Sequence, residues 1–130
     1  MKILIVDDEK EATDRLAEYM RSLHHSILVA NDGLEGYKLY KDMAPDLVIL
    51  DLNLPILNGI DILKRIRKED KETQVVILSA HSEKEWIEKA MANHISKYII
   101  KPIRRGDLKE MLIKVQNQTN GVKDAKKQVA

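Results

Sequence analysis

The sequence predicts an α/β fold, a mostly parallel sheet with helices on both faces. Three observations carry this. Short runs of Ile, Leu and Val recur along the chain, and each is followed by a polar stretch with apolar residues at helical spacing. Strand and helix alternate five times in this way, the pattern of repeated βα units. Four of the five expected strands end in a carboxylate, a hydroxyl or an ammonium side chain, and right-handed crossovers put every strand's C-terminal end on one edge of the sheet.

Taken in order, Ile3-Leu4-Ile5-Val6 is the first strand, ending in Asp7-Asp8-Glu9. Ala12, Leu16, Tyr19, Met20 and Leu23 then give the apolar face of a first helix. Ile27-Leu28-Val29-Ala30 is the second strand, and Asn31-Asp32-Gly33 is a turn that also supplies a helix cap. Leu34, Tyr37, Tyr40 and Met43 predict the buried face of the second helix, closed by Pro45. Leu47-Val48-Ile49-Leu50, continuously apolar, reads as a strand buried on both faces and stops at Asp51. Beyond the breakers Pro55 and Asn58-Gly59, Ile60, Leu63 and Ile66 support a third helix, with Arg65, Arg67 and Lys68 suited to its C-terminal end. Val75-Val76-Ile77-Leu78 leads to Ser79, and Trp86, Ile87, Ala90 and Met91 predict the fourth helix. Tyr98-Ile99-Ile100 leads to Lys101-Pro102, and Leu108, Met111, Leu112 and Val115 give the fifth helix. From about residue 117 the text is polar without an apolar period, which predicts a frayed helix end and then a tail or linker over 119–130.

The bulk composition narrows the function. One hundred and thirty residues suit one domain with a proper core. With 22 basic and 21 acidic side chains, the net charge of +1 gives no reason to expect nucleic acid or an anionic membrane as partner. The absence of cysteine excludes disulfides, thiolate catalysis and Cys-ligated metals. The apolar stretch after Met1 is too short for a signal peptide, and no run reaches the ~18 apolar residues of a membrane helix. The expectation is a cytoplasmic globular domain.

The strand ends supply the chemistry. Asp7, Asp8, Asp51, Ser79 and Lys101 should share one cleft at the edge where open α/β sheets bind ligands. Each alone has a plain reading. Asp51 suits a turn or cap, Asp7-Asp8 a capping pair, Ser79 a cap, and Lys101 a solvated lysine. Their agreement at one edge is what those readings do not predict. Clustered carboxylates repel, and a divalent cation relieves this; an oxygen-only ligand set suits Mg²⁺. A metal on Asp8 and Asp51 leaves an Asp51 oxygen free as nucleophile, and carboxylates do form aspartyl phosphates. Mg²⁺, Lys101 and Ser79 are the kinds of group that hold phosphoryl oxygens.

These residues resemble the receiver domain of two-component response regulators. The likeness is carried by Val6-Asp7-Asp8-Glu9, by Asn31-Asp32-Gly33, by residues 45–55 through Asn58-Gly59, by Leu78-Ser79-Ala80 and by Tyr98-Ile99-Ile100-Lys101-Pro102. It covers residues 1–118. The resemblance implies a flavodoxin-like, doubly wound (βα)5 sandwich with strand order 2-1-3-4-5. It implies Asp51 as phosphoacceptor, Asp7 and Asp8 as Mg²⁺ ligands with Asp51 and the Asn53 backbone carbonyl, and Lys101, before a cis Pro102, as the partner of the phosphoryl group. It further implies Ser79 as the switch hydroxyl, Tyr98 as an aromatic switch, and Asn53 and His81 as positions that tune the phosphoryl lifetime. Such a domain is a signalling switch rather than an enzyme. It takes phosphate from a sensor histidine kinase, a phosphotransfer protein or a small phosphodonor. It acts on a downstream protein or a linked effector domain through its helix 4–strand 5–helix 5 face, which also serves in homodimers.

Three positions depart from the pattern. His94-Ile95 stands where Gly-Ala is common, and a non-glycine residue in the left-handed region there carries a cost. Ile103 stands where an aromatic is common. Two other readings compete. A haloacid dehalogenase-type phosphatase uses a similar Asp, Ser, Lys and Mg²⁺ set, but has a second Asp two residues after the nucleophile, where this chain has Asn53. A receiver-like interaction module without phosphorylation would have no need of the intact acidic set.

Overall fold

A computed structural model describes the backbone of residues 1–129 and the side chains of residues 1–120. Five strands, β1 (Lys2–Val6), β2 (Ser26–Ala30), β3 (Leu47–Leu50), β4 (Gln74–Ser79) and β5 (Lys97–Ile100), alternate with five helices. The helices are α1 (Lys10–Ser22), α2 (Gly33–Met43), α3 (Gly59–Glu69), α4 (Lys84–Met91) and α5 (Arg105–Val129). The sheet is parallel throughout, in the order β2-β1-β3-β4-β5. This is the flavodoxin-like arrangement, with β3 at its centre flanked by β1 and β4.

The period-two alternation of the strands splits the core into two layers. Ile3, Ile5, Leu47, Ile49, Val76 and Leu78 face α1 and α5, meeting Ala17, Met20, Leu108, Met111, Leu112 and Val115. Leu4, Val6, Val48, Leu50, Val75 and Ile77 face α2, α3 and α4. All four residues of β3 are buried, as a strand covered on both faces requires. Asp32 caps α2 by accepting from the Glu35 N–H at 2.8 Å, and Asn58 caps α3 by accepting from the Asp61 N–H at 3.0 Å.

Four helices differ from the sequence expectation. In α1 the buried positions are Thr13, Ala17 and Met20; Ala12 is exposed. In α2, Leu34 and Met43 lie outside, 57% and 39% exposed, and Gly33, Gly36 and Tyr40 form the buried face. The helix packs so closely that a Cβ on Gly36 would stand 2.6 Å from a Val6 methyl. Helical spacing of large apolar residues therefore points to the wrong side, because the contact is made by glycine. In α4, Ala90 is the buried residue, Trp86 and Ile87 are half-buried, and Met91 is 57% exposed. The fifth helix continues through the polar stretch to Val129, beyond the expected frayed end; Ala130 lies outside the described residues. No proline interrupts that stretch, and its Lys, Gln and Ala residues favour helix.

Candidate functional site

The site lies at the C-terminal edge of the central strands. Pairing carries one residue past β1 and β3: the Asp7 N–H donates to Ala30 O at 3.0 Å and the Asp51 N–H to Val6 O at 2.9 Å. Both carboxylates are thereby fixed by the sheet itself, at 4% and 5% exposure. Asp8, one residue on, faces solvent. The α3 N-terminus abuts the site, since a Cβ on Gly59 would stand 2.2 Å from the Asp51 carbonyl oxygen.

The Lys101 ammonium reaches across from β5. Its Nζ lies 2.8 Å from Asp7 Oδ2, 3.0 Å from Asp51 Oδ2 and 3.5 Å from Glu9 Oε1. Its backbone is set by the N–H bond to Ser79 O at 2.9 Å and by the cis peptide to Pro102. The other oxygens of the two aspartates take backbone donors: Glu9 N–H on Asp7 Oδ1 at 3.0 Å and Asn53 N–H on Asp51 Oδ1 at 3.1 Å. Asn31 Nδ2 donates to Asp7 O at 3.0 Å and ties the end of β2 to the cluster.

Charge is unbalanced here. The Lys101 ammonium faces the carboxylates of Asp7, Glu9 and Asp51, and Asp8 adds a further carboxylate beside Asp7 and Asp51. Burial pushes the Asp7 carboxyl above its ordinary range, against the pull of the Lys101 ammonium and the Glu9 N–H, and the Asp51 charge adds to the rise. Burial opposes the Lys101 charge too, but the Asp7 and Asp51 carboxylates outweigh it and hold the ammonium protonated well above the usual lysine range. Asp7, Asp8 and Asp51 each offer an oxygen, and the three lie within 4.8 Å of one another. A hard divalent cation fits such a set: all donors are oxygens, negative charge is in excess, and exposed Asp8 leaves room for coordinated water.

Ser79 and its neighbours make the second half. Ser79 is fully buried at the end of β4, and its Oγ accepts the His81 N–H at 3.3 Å. Tyr98, from β5, donates its hydroxyl to the His81 carbonyl at 2.7 Å. The His81 ring stacks on Trp86, centroids 4.8 Å apart and planes inclined at 19°. The Asn53 side chain is exposed; its backbone N–H is what touches Asp51.

The structure thus gathers Asp7, Asp8, Asp51 and Lys101 into one cluster, with Ser79 on the adjoining strand end. Residues unmarked by the sequence reasoning also take part. Glu9, the third acid of its run, faces Lys101. Trp86 holds His81. Arg67, read only as a favourable charge near a helix end, is buried at 8% exposure and donates to the carbonyls of Asn93, His94 and Asp70, each at 3.0 Å. His94 has φ 55°, the left-handed conformation whose cost the sequence anticipates, and Arg67 holds that turn.

Comparison with known proteins places this arrangement. The response regulator receiver domain model matches residues 3–113. The chain belongs to the receiver domain family. Receivers are phosphorylation-dependent signalling domains rather than enzymes in the usual sense, and they generally bind Mg²⁺ at an acidic pocket. The chain is 33% identical over 117 residues to the chemotaxis protein CheY of Treponema pallidum, covering 88% of this chain and 81% of that protein. It is 33% identical over 115 residues to the regulatory protein AtoC of Escherichia coli, covering 88% of this chain but only 24% of that protein. A chain of the CheX–CheY–BeF3–Mg²⁺ complex from Borrelia burgdorferi superposes with a TM-score of 0.83 at 28% identity, covering 88% of each. This receiver therefore resembles both a protein of similar length and one segment of a much longer regulator. Among the described residues, no helix is long and apolar enough to cross a membrane.

Proposed function

We propose that this receiver is a phosphorylation switch whose acceptor is Asp51. The observation that supports this best is the setting of that carboxylate. It stands at the end of a strand buried on both faces, 3.0 Å from Lys101 Nζ and beside Asp7 and Asp8. An Asp51 oxygen attacks the phosphorus of a phosphohistidine or a small acyl phosphate. The new P–O bond forms as the bond to the donor's nitrogen or oxygen breaks, and the leaving imidazole or carboxylate keeps the electron pair. Asp7, Asp8, Asp51 and the Asn53 backbone carbonyl would hold Mg²⁺, which when bound neutralises charge on the transferring oxygens. Lys101 pairs with one phosphoryl oxygen and Ser79 donates its hydroxyl to another. Hydrolysis by water returns the carboxylate, and Asn53 and His81 flank that approach and tune its rate.

Contacts from Lys101 and Ser79 to the phosphoryl group exist in one state only, so they bias a two-state element. In our reading that element is the loop after β4 with α4 and Tyr98, and it reshapes the α4–β5–α5 face. The donor is a sensor histidine kinase or a phosphotransfer protein. The receiver of the signal is a separate protein, a linked effector domain or a second copy docked through that face. The domain spans 1–118, and the stretch 119–130, which prolongs α5 as far as Val129, serves as a tail or linker. It works in the cytoplasm and touches neither nucleic acid nor membrane itself.

Intact mass after incubation with acetyl phosphate tests the chemistry. The expected result is a Mg²⁺-dependent phosphate adduct that is acid-stable enough to detect, labile to base and hydroxylamine, and absent from Asp51→Asn. An adduct of the same kind on Asp51→Asn overturns the assignment.

A further inference from the structure

We propose that Trp86 is a positioning residue for phosphoryl recognition, acting through His81 on the Ser79 hydroxyl; the inference rests on the reading of Ser79 given above. His81 is bound into the site twice by its backbone. Its N–H donates to Ser79 Oγ at 3.3 Å, and its carbonyl accepts from Tyr98 Oη at 2.7 Å. Ser79 Oγ accepts the His81 N–H and also lies beside the Tyr98 hydroxyl, so its own proton can turn toward Tyr98 or toward the cleft. The His81 backbone, bonded to both hydroxyls, thus sets the position from which Ser79 can present a donor to the cleft.

What holds that backbone is the side chain. The imidazole lies nearly parallel to the Trp86 indole, 4.8 Å between centroids. Its Nδ1 is 3.4 Å from Glu83 Oε2, but that carboxylate is 64% exposed, so the pair is screened and contributes little. On the α4 side, Lys89 Nζ stands 5.2 Å from the indole centroid and 3.2 Å from Glu85 Oε1, which steadies the tryptophan at the helix surface. Packing of α4 itself adds little, because Ala90 is its one buried residue. The stack is thus the main side-chain link between α4 and the strand end that carries Ser79. The same link works in the other direction: a phosphoryl group that fixes Ser79 fixes His81, and through the ring it fixes α4.

An aromatic pair of this kind changes an equilibrium by roughly two- to tenfold. The test is calorimetric titration of the full chain with Mg²⁺ alone, and then with beryllofluoride at saturating Mg²⁺. We expect Trp86→Leu to weaken beryllofluoride binding roughly three- to tenfold while its Mg²⁺ affinity stays that of the unsubstituted chain, since the carboxylates sit on β1 and β3. Trp86→Phe, which can still stack, restores most of the loss. His81→Ala matches Trp86→Leu, and the double variant adds nothing further, because both delete one contact. His81→Ala carries the same test if Trp86→Leu does not fold. Beryllofluoride affinity within twofold of the unsubstituted chain in both Trp86→Leu and His81→Ala overturns the proposal. So does a parallel loss of Mg²⁺ affinity, the mark of a merely structural residue, and so do additive losses in the double variant. An unsubstituted chain that takes Mg²⁺ but no beryllofluoride instead removes the reading of Asp51 and Ser79, and the inference falls with it.

Discussion

The acidic corner and the α4–β5 face differ in how they are held. Asp7 and Asp51 extend β1 and β3, are 4% and 5% exposed, and have both carboxylate oxygens bonded. Beyond β4 the hold is looser. Strand β5 is an edge strand with no buried residue, and α4 buries Ala90. In the first half each strand is paired on both sides; in the other β5 pairs only with β4, and a few side-chain contacts supply the rest: the His81–Trp86 stack, the Tyr98 hydroxyl and the Arg67 fork. Fixed geometry suits phosphoryl transfer, and weak local stability suits a switch. The division of labour follows from the sheet order, in which β1 and β3 are paired on both sides and β5 on one.

The largest effects should come from removing what joins the halves. Lys101→Ala leaves buried carboxylates without their ammonium and should cost about 3 kcal/mol in metal-free buffer, read by urea unfolding. Added Mg²⁺ should recover part of it, because the cation supplies the missing charge; no recovery would argue against a metal at this corner. Phosphate uptake should persist in that variant while its effect on α4 is lost. Arg67→Leu strands three backbone carbonyls and should cost about 2 kcal/mol. Faster amide exchange in residues 84–97 with β1 and β3 unchanged would sharpen the comparison, and uniform loss across the sheet would break it.

Most of the fixed half is legible in the sequence, because its signals are local. Leu47-Val48-Ile49-Leu50 followed by Asp51 announces a buried strand ending in a carboxylate, and topology brings Asp7, Asp8 and Lys101 to the same edge. The softer half is less legible. The partners His81 and Trp86 lie on a loop and a helix, with no periodicity to link them. Arg67 looks like a surface charge until its three carbonyl partners are seen. Leu34 and Met43 were expected inside α2 because a glycine-faced contact leaves no hydrophobic signal.

Smaller effects probe single turns. Ile56 has φ 70° in a three-residue turn closed by the Leu57 N–H on Pro55 O at 2.8 Å, and its side chain is 79% exposed. A β-branched residue is strained there, so Ile56→Gly should stabilise by about 1 kcal/mol, seen as a higher urea midpoint. At Asp70, burial opposes ionisation, but the Thr73 hydroxyl and N–H, the Glu72 N–H and the Tyr40 hydroxyl prevail and hold its carboxyl down at about 2. A depressed carboxyl stabilises the fold fully above the ordinary carboxylate range and loses that contribution as pH falls toward 2. Asp70→Asn should therefore lower the melting temperature at pH 7, by about 1 kcal/mol in stability, and the gap from the unsubstituted chain should close as the pH approaches 2.

The most direct measurement is hydrogen–deuterium exchange of the unsubstituted chain with Mg²⁺, with and without beryllofluoride. A phosphoryl mimic on Asp51 that works through Ser79 should slow exchange in residues 80–100, across the loop, α4 and β5, while the amides of β1 and β3 keep their protection. Protection that rises only beside Asp7 and Asp51, with residues 80–100 unchanged, would contradict the claim that the fixed corner drives the softer face.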